Sequence, residues 1–395
     1  MAKVMVIAGG DWQCPIVKVA KKMGHYVICT NLYEDSPAFK YADVGLVADV
    51  LDKEMNLRIA KEYKVDAVLT DQTDIAVPTV AYVTGELGLK GIGTDIADRF
   101  TNKYKMREFT SNVGIPTPRY KLCYTAEDAV DFLKELSLCI IKPIDSQSSR
   151  GIHIIKTEED VERYFDDCIQ YSNSDKAILI EEFIEGTEFT VDGIKTSKEY
   201  VVTAVSEKGH YRYNPNVANR LVFTHHNDTY DYERLKKENA EMIAAMGLPF
   251  GLTHTEYKYR DGKFYLIEAA ARGGGTKISS DITRLVSGIN CYELFLNMLT
   301  NGSEEIVKGE KKECAALGFF DFEPGIITEI IGINEAMKQR GIYDLKLEAK
   351  VGDQLGQAQD DRSRCGYYIL FADSIDELVE RERRLKETVK VITRS

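Results

Sequence analysis

Residues 256–275 constrain this chain most, because they spell a tight β-hairpin that carries two glutamates and ends in three glycines. Asp261-Gly262 is a strong turn signal, and side chains along a strand alternate between faces. A two-residue turn there pairs Glu256 with Ile267 and sends Glu268 to the opposite face. A turn centred on Gly262, a three-residue loop with a glycine bulge, sets Arg260 opposite Phe264 and Glu256 opposite Glu268. The second register is the expected one. Leu266, Ile267, Ala269, Ala270 and Ala271 surround Glu268 with apolar or small residues, a poor setting for an acid that merely meets solvent. Paired carboxylates suit a hard divalent cation such as Mg²⁺, which takes few protein ligands and leaves room for phosphate oxygens. Arg272 and Gly273-Gly274-Gly275 follow at once, and glycines let a ligand approach the backbone closely.

The remaining sequence sets the frame for that hairpin. At 395 residues the chain exceeds what one hydrophobic core usually holds, so two to four domains are expected. With 63 acidic against 51 basic residues the net charge is −12, which argues against nucleic acid and anionic membranes as partners. An anionic ligand must then be held by a local cluster of cations. The eight cysteines are scattered without close metal-ligand pairs, and Cys29 and Cys139 lie in apolar strand patterns. Reduced core thiols and a cytoplasmic location are therefore expected. No apolar run approaches the length of a membrane span.

Strands alternate with helices at the amino terminus: residues 3–8, a helix over 13–23, a strand over 26–30, a strand over 65–70 and a helix over 75–87. That order implies a parallel, doubly wound sheet. Gly9-Gly10-Asp11 lacks the full spacing of a dinucleotide fingerprint, so a small-ligand loop is the better reading. Residues 94–113 read as helical, and Pro116-Thr117-Pro118 forces an extended connection. Four domains follow: 1–115, a parallel α/β unit; 116–188, a small α+β unit; 189–305, a larger unit with the hairpin; and 306–395, a carboxy-terminal α+β unit.

Three further elements carry candidate chemistry. Lys142 ends the apolar strand Leu138-Cys139-Ile140-Ile141, where an ammonium either reaches to solvent or points at an anion. Directly after it, Ser146, Ser148, Ser149, Arg150 and Gly151 make a small hydroxyl-rich loop able to wrap phosphates with backbone N–H groups. The stretch Glu181-Glu182-Phe183-Ile184 leaves an apolar strand and can offer a carbonyl and an N–H to a base edge, with Glu188 in reach of a ribose hydroxyl. Each alone is more often an ordinary strand end or a solvated loop. Together, and in this order, they describe a nucleotide site.

That ordered set resembles the ATP-grasp superfamily, in particular its biotin carboxylase, glycinamide ribonucleotide synthetase and amino-acid ligase branches. The resemblance implies an ATP-grasp fold preceded by a parallel doubly wound domain, with 116–188 and 189–305 as the small and large ATP-grasp subdomains. It implies ATP as nucleotide, with Lys103, Lys142 and the loop 146–151 on its phosphates. Glu181, Glu182, Phe183, Ile184 and Glu188 would surround the adenosine. Glu256 and Glu268 would hold Mg²⁺, or Mn²⁺ in its place, and Arg272 and Lys142 would act on the reacting groups. Ala270 stands where the family often has a further metal-ligating Asn, so the cation would rely there on water or substrate.

The activity implied is a ligase that turns a carboxylate into an acyl phosphate and joins it to an amine, with release of ADP. The partners are then two small molecules, and the assembly a homodimer. Asp74, Arg220, His226, Gly274, Gly275 and Thr276 are the candidate substrate residues, with His225 and Ser279 beside them. Two other readings stay open at this point: a carboxylase that activates bicarbonate, and a nucleotide-binding regulatory protein without turnover.

Overall fold

The computed structural model describes residues 1–146, 150–172 and 175–394. The amino-terminal sheet is parallel, in the order Val44–Val47, Tyr26–Asn31, Lys3–Ile7, Ala67–Leu69. Its strands are apolar on both faces because both faces are covered. Val4, Val6 and Cys29 pack with Leu294 and Leu296 of a later helix, whereas Met5, Ile7 and Ile28 pack with Leu57 and Val83. The doubly wound expectation holds. The segment expected to be helical over 94–113 forms two helices, Thr94–Thr101 and Lys103–Asn112. They break at Asn102, whose backbone is extended (φ −102°, ψ 113°) and whose side chain accepts the Lys105 N–H. The cap starts the second helix and puts Lys103 at its first position.

The small unit is a four-stranded antiparallel sheet, in the order Tyr120–Cys123, Ile178–Glu182, Cys139–Pro143, His153–Ile155. Two helices, Ala126–Leu136 and Glu158–Ile169, cover one face, and each begins with a Thr-x-x-Asp capping box. Cys123, Leu133, Cys139, Ile141, Phe165 and Cys168 fill the space between. All eight cysteines are free thiols, and only Cys365 is not fully buried.

An eight-stranded sheet dominates the rest. Its order is Lys263–Ala270, Gly251–Arg260, Thr187–Lys195, Tyr200–Tyr211, Asn214–Thr224, Cys314–Phe319, Gly366–Ala372, Ile342–Leu347. The last three strands lie beyond residue 306, where the sequence suggested a separate unit. Arg220 through Thr224 pair antiparallel with Gly318 through Cys314, so hydrogen bonding runs across that boundary without a break. Among the described residues, a smaller sheet of Gly325–Ile331, Gln354–Leu355 and Lys390–Arg394 stands apart. No helix among the described residues is long and apolar enough to cross a membrane.

The hairpin reaches the expected pairing by another route. Arg260 pairs with Lys263 across a two-residue turn, where Asp261 and Gly262 both have positive φ (51° and 77°). The register then shifts between Glu256 and Tyr257, which leaves Ile267 as an extra residue on its strand. That bulge brings Glu256 opposite Glu268. The Ile267 carbonyl accepts a hydrogen bond from Arg107, so the bulge is anchored from the helix Lys103–Asn112.

Candidate active site

Four neighbouring strands turn alternate side chains, all but one of them polar, to the same face, and the pairing makes a grid of them. Lys208, Glu188 and Lys258 form one row. Ser206, Thr190, Glu256 and Glu268 form the next. Asp192, His254 and Ala270 form a third. This grid floors a cavity of about 420 Å³ that the small sheet, the amino-terminal domain and the carboxy-terminal loop also line.

Charges on the floor compensate one another. Lys208 Nζ lies 2.6 Å from Glu188 and 2.8 Å from Glu256. Burial works to raise the Glu188 pKa, but the Lys208 ammonium and a hydrogen bond from His210 bring it down to about 2. Glu256 is likewise held well below the usual carboxylate range by Lys208 and His254 against the effect of burial. His254 Nδ1 sits 2.9 Å from Asp192. Burial favours the neutral ring, and the Asp192 carboxylate outweighs it, so the His254 pKa is raised to about 9. Burial lowers the Lys258 pKa, with Glu188 opposing.

The small sheet and the helix Lys103–Asn112 supply the roof. Lys142 Nζ lies 2.6 Å from Glu181, and Arg107 Nε is 2.5 Å from the other oxygen of the same carboxylate. Burial would raise the Glu181 pKa, and the two cations override it. Glu181 is therefore a buried counter-ion beneath Lys142 rather than part of the cavity wall. One carboxylate against two cations leaves positive charge at this corner. Lys103 Nζ donates to the Ser146 carbonyl at 2.6 Å and lies 3.3 Å from Glu268. The Ser146 hydroxyl is buried and has no hydrogen-bond partner among the described residues, which fits a site that meets a ligand oxygen. Ser148 and Ser149 lie outside the described residues. Gly151 has φ +66°, and a Cβ there would stand 2.6 Å from the Tyr171 ring.

Glu182 points away, paired with Arg260 at 2.7 Å, and its N–H donates to the Arg119 carbonyl. Ile184 is buried and Phe183 lines the cavity, with Lys258 Nζ 4.5 Å from its ring centroid.

At the far end the chain from Arg272 to Thr276 turns sharply. Arg272 Nη2 lies 2.7 Å from Asp74 Oδ2, and Nε donates to the same carboxylate. Asp74 is thus the ion-pair partner of Arg272. The three glycines are not equally open. A Cβ on Gly273 would stand 2.2 Å from Ser279, and one on Gly274 would stand 2.7 Å from Asp192, whereas Gly275 has open space beside it. Thr276 and Lys277 both have positive φ (47° and 66°), a costly conformation for side chains of that size. Gly275 and Thr276 line the cavity; Gly274 instead packs on the Asp192–His254 pair.

Asp74, Lys103, Lys142, Ser146, Phe183, Glu188, Glu256, Glu268, Arg272, Gly275 and Thr276 thus share one cavity. Arg220 and His226 do not. They line a second cavity of about 670 Å³ with His225, and Arg220 pairs there with Glu382 at 2.7 Å. The strand Asn214–Thr224 runs under both cavities, and position 220 faces the wrong one. Sequence reasoning missed Lys208, Lys258 and Trp12, all on the main cavity. The signal for the lysines was a period-two polar stripe, Ser206-x-Lys208-x-His210 beside His254-x-Glu256-x-Lys258. Trp12 carried no such signal.

Glu256 and Glu268 face each other across adjacent strands, both on the cavity, and their oxygen donors suit a hard cation. No group of three or more His, Cys, Asp or Glu side chains among the described residues could hold a metal. Among the described residues, these two carboxylates are the candidate ligands for a cation at this point.

Residues 137–281 match the ATP-grasp domain and residues 318–394 match the L-amino acid ligase C-terminal domain 2. A formate-dependent phosphoribosylglycinamide formyltransferase of Maridesulfovibrio salexigens is 30% identical over 191 residues, 46% of this chain and 47% of that protein. The alanine–anticapsin ligase of Bacillus subtilis is 27% identical over 331 residues, 75% of this chain and 66% of that protein. This chain thus spans about half the length of the first of these relatives. An L-amino acid ligase from Bacillus licheniformis has the same fold, with a TM-score of 0.81 at 19% identity over 100% of this chain and 99% of that one. So does the biotin carboxylase domain dimer of Hydrogenobacter thermophilus 2-oxoglutarate carboxylase, solved with MgADP and bicarbonate (TM-score 0.76, 17% identity, 99% of this chain and 90% of that one). With the grid, the two lysines and the paired glutamates on one cavity, these matches give the chain an ATP-grasp domain over residues 137–281 and an L-amino acid ligase C-terminal domain 2 over residues 318–394.

Proposed function

We propose that this chain is an ATP-dependent, ADP-forming ligase that activates the carboxylate of an amino acid and joins it to an amine. The observation that carries the reading is the single cavity that joins a cationic roof, a pair of opposed carboxylates and Arg272. Support for amino acids comes from the carboxy-terminal domain match and from the alanine–anticapsin ligase, which aligns over 75% of this chain.

The chemistry asks the protein mainly for position and charge. An oxygen of the substrate carboxylate attacks the γ-phosphorus of ATP, and the bond to the β–γ bridging oxygen breaks to leave ADP. The amine nitrogen then attacks the acyl carbon, the carbon–oxygen bond to phosphate breaks, and a proton leaves the nitrogen. In this reading Lys103 and Lys142 neutralise phosphate oxygens, and the Ser146 hydroxyl gains the partner it lacks. Glu188 and Phe183 face the nucleoside, while Arg272 steadies the carboxylate as it becomes an acyl phosphate. Glu256 and Glu268 would hold Mg²⁺, which when bound offsets the charge on the phosphates. No side-chain nucleophile is required. A homodimer is the assembly proposed, by analogy with the solved biotin carboxylase domain, and sedimentation equilibrium tests it.

The test is release of ADP from ATP with Mg²⁺ and the twenty amino acids in pools. Release that requires two amino acids supports the ligase. Release that requires only bicarbonate moves the protein to the carboxylases, and ATP binding without release removes it from the enzymes.

A further inference from the structure

The Arg272–Thr276 turn ends in a strained cavity residue, Thr276 (φ 47°), yet the carboxylates that hold the turn come from the amino-terminal domain. After the strand Ala67–Leu69 the chain reads Thr70-Asp71-Gln72-Thr73-Asp74. Gln72, Thr73 and Asp74 line the cavity, whereas Asp71 lies behind it and is fully buried. Its Oδ1 accepts the Gly273 N–H at 2.7 Å. Its Oδ2 accepts the Ser279 hydroxyl at 2.8 Å and the Tyr292 hydroxyl at 2.5 Å. Gln13 Nε2 donates to the Asp71 carbonyl at 2.7 Å, and Gln72 Nε2 donates to the Tyr292 hydroxyl at 3.0 Å.

A carboxylate accepts without donating, and here it satisfies three donors: one from each end of the turn and a third, the Tyr292 hydroxyl, from the helix Cys291–Thr300. Gly273 opens that turn and Ser279 closes it. Three residues along, Asp74 grips the neighbouring residue, Arg272. Two acids of one loop therefore hold two consecutive residues of another, some two hundred positions away. Space is as tight as the bonding: a Cβ on Gly273 would stand 2.9 Å from Asp71 Oδ1.

We propose that Asp71 is a positioning residue for the reaction: by fixing Gly273 and Ser279 it sets where Arg272, Gly275 and Thr276 stand against the substrate carboxylate. This assignment rests on the ligase reading for its effect on turnover, but not for its effect on the turn. It makes the amino-terminal domain a working part of the active site, without requiring Asp71 to touch substrate. A shift of the turn by a fraction of an ångström misplaces the carboxylate and leaves the nucleotide end untouched.

Asp71→Asn is the variant of choice. The amide keeps the shape and can still accept from Gly273, but it puts a donor where the carboxylate offered both hydroxyls an acceptor, so each must turn its own O–H elsewhere. Tyr292→Phe is the companion: it removes one donor and leaves the Gly273 and Ser279 bonds in place. In wild type and both variants, amide hydrogen exchange of the peptide spanning 272–279 is compared with that of the hairpin 256–268. ATP affinity and turnover are measured alongside. The proposal expects faster exchange in 272–279 alone for Asp71→Asn, turnover lower by about ten-fold or more, and an ATP KM within about two-fold. Tyr292→Phe should lower the melting temperature and retain most of the turnover. Unchanged exchange in 272–279, or unchanged turnover in Asp71→Asn, overturns the proposal. If the wild-type protein releases no ADP, the ligase reading fails instead, and the exchange comparison still decides whether Asp71 fixes the turn.

Discussion

The two ends of the cavity are held by opposite means. At the nucleotide end, cations and carboxylates sit on adjacent strands and compensate one another across short, regular spacings: Lys208 with Glu188 and Glu256, Lys142 with Glu181. At the acceptor end, almost nothing is regular. Arg272 is tied to Asp74 and Gly273 to Asp71, while Thr276 and Lys277 adopt left-handed backbone. The first end is a property of a sheet, the second of a contact between domains. The nucleotide end should thus respond to substitution through charge, and the acceptor end through geometry.

The largest expected effect lies at the junction of the two. Glu268→Gln keeps the shape of the hairpin and removes a charge from the cation site, so turnover should fall by about a hundred-fold or more with the melting temperature little changed. Near-wild-type turnover at saturating Mg²⁺ removes the paired glutamates from the metal assignment.

Arg272→Lys tests geometry against charge. An ammonium cannot reproduce the two-pronged hold on Asp74, so turnover should drop about ten-fold or more, while ATP binding by calorimetry stays within a few-fold. If only the melting temperature moves, Arg272 is a tether between domains and no more.

Lys208→Met tests the compensated floor. It leaves Glu188 and Glu256 buried without their shared ammonium, and urea unfolding should show a loss of about 3 kcal/mol. Unchanged stability means that His210, His254 and Lys258 suffice.

The smallest effect is one of pH. The Glu188 pKa is depressed from 4.5 to about 2, so its ion pairing stabilises the fold above the unfolded-state value. That contribution is lost as pH falls from about 4.5 towards 2. Glu188→Gln should flatten the fall in melting temperature across this window, and an acid limb identical to wild type contradicts the assignment.

Legibility in the sequence followed the same division. The parallel amino-terminal sheet, the small unit with its capping boxes, and the Glu256–Glu268 pairing were readable because local periodicity and turn chemistry determine them. The bulge at Ile267 was not, because a two-residue turn and a bulge together give the same pairing as a three-residue loop. Arg220 faces the second cavity because a strand of uncertain phase can show either face and one position decides which, and His226 lies in the loop after that strand. Lys208 and Lys258 were within reach of a period-two reading and were overlooked. Asp71 was beyond reach: its partners Gly273, Ser279 and Tyr292 lie about two hundred residues on, and no local pattern announces such a contact. The continuity of the large sheet past residue 306 escaped for the same reason.

In the proposed reaction one cavity joins the nucleotide to a carboxylate, and the γ-phosphoryl group passes directly onto it. Turnover with a substrate amino acid labelled with ¹⁸O in its carboxylate, followed by mass analysis of the phosphate released, tests that transfer. An acyl phosphate intermediate must carry one labelled oxygen from the carboxylate into each phosphate formed. The account predicts that transfer, together with ADP and the ligated product. Phosphate free of label, formed at the same rate with and without the amino acid, contradicts it.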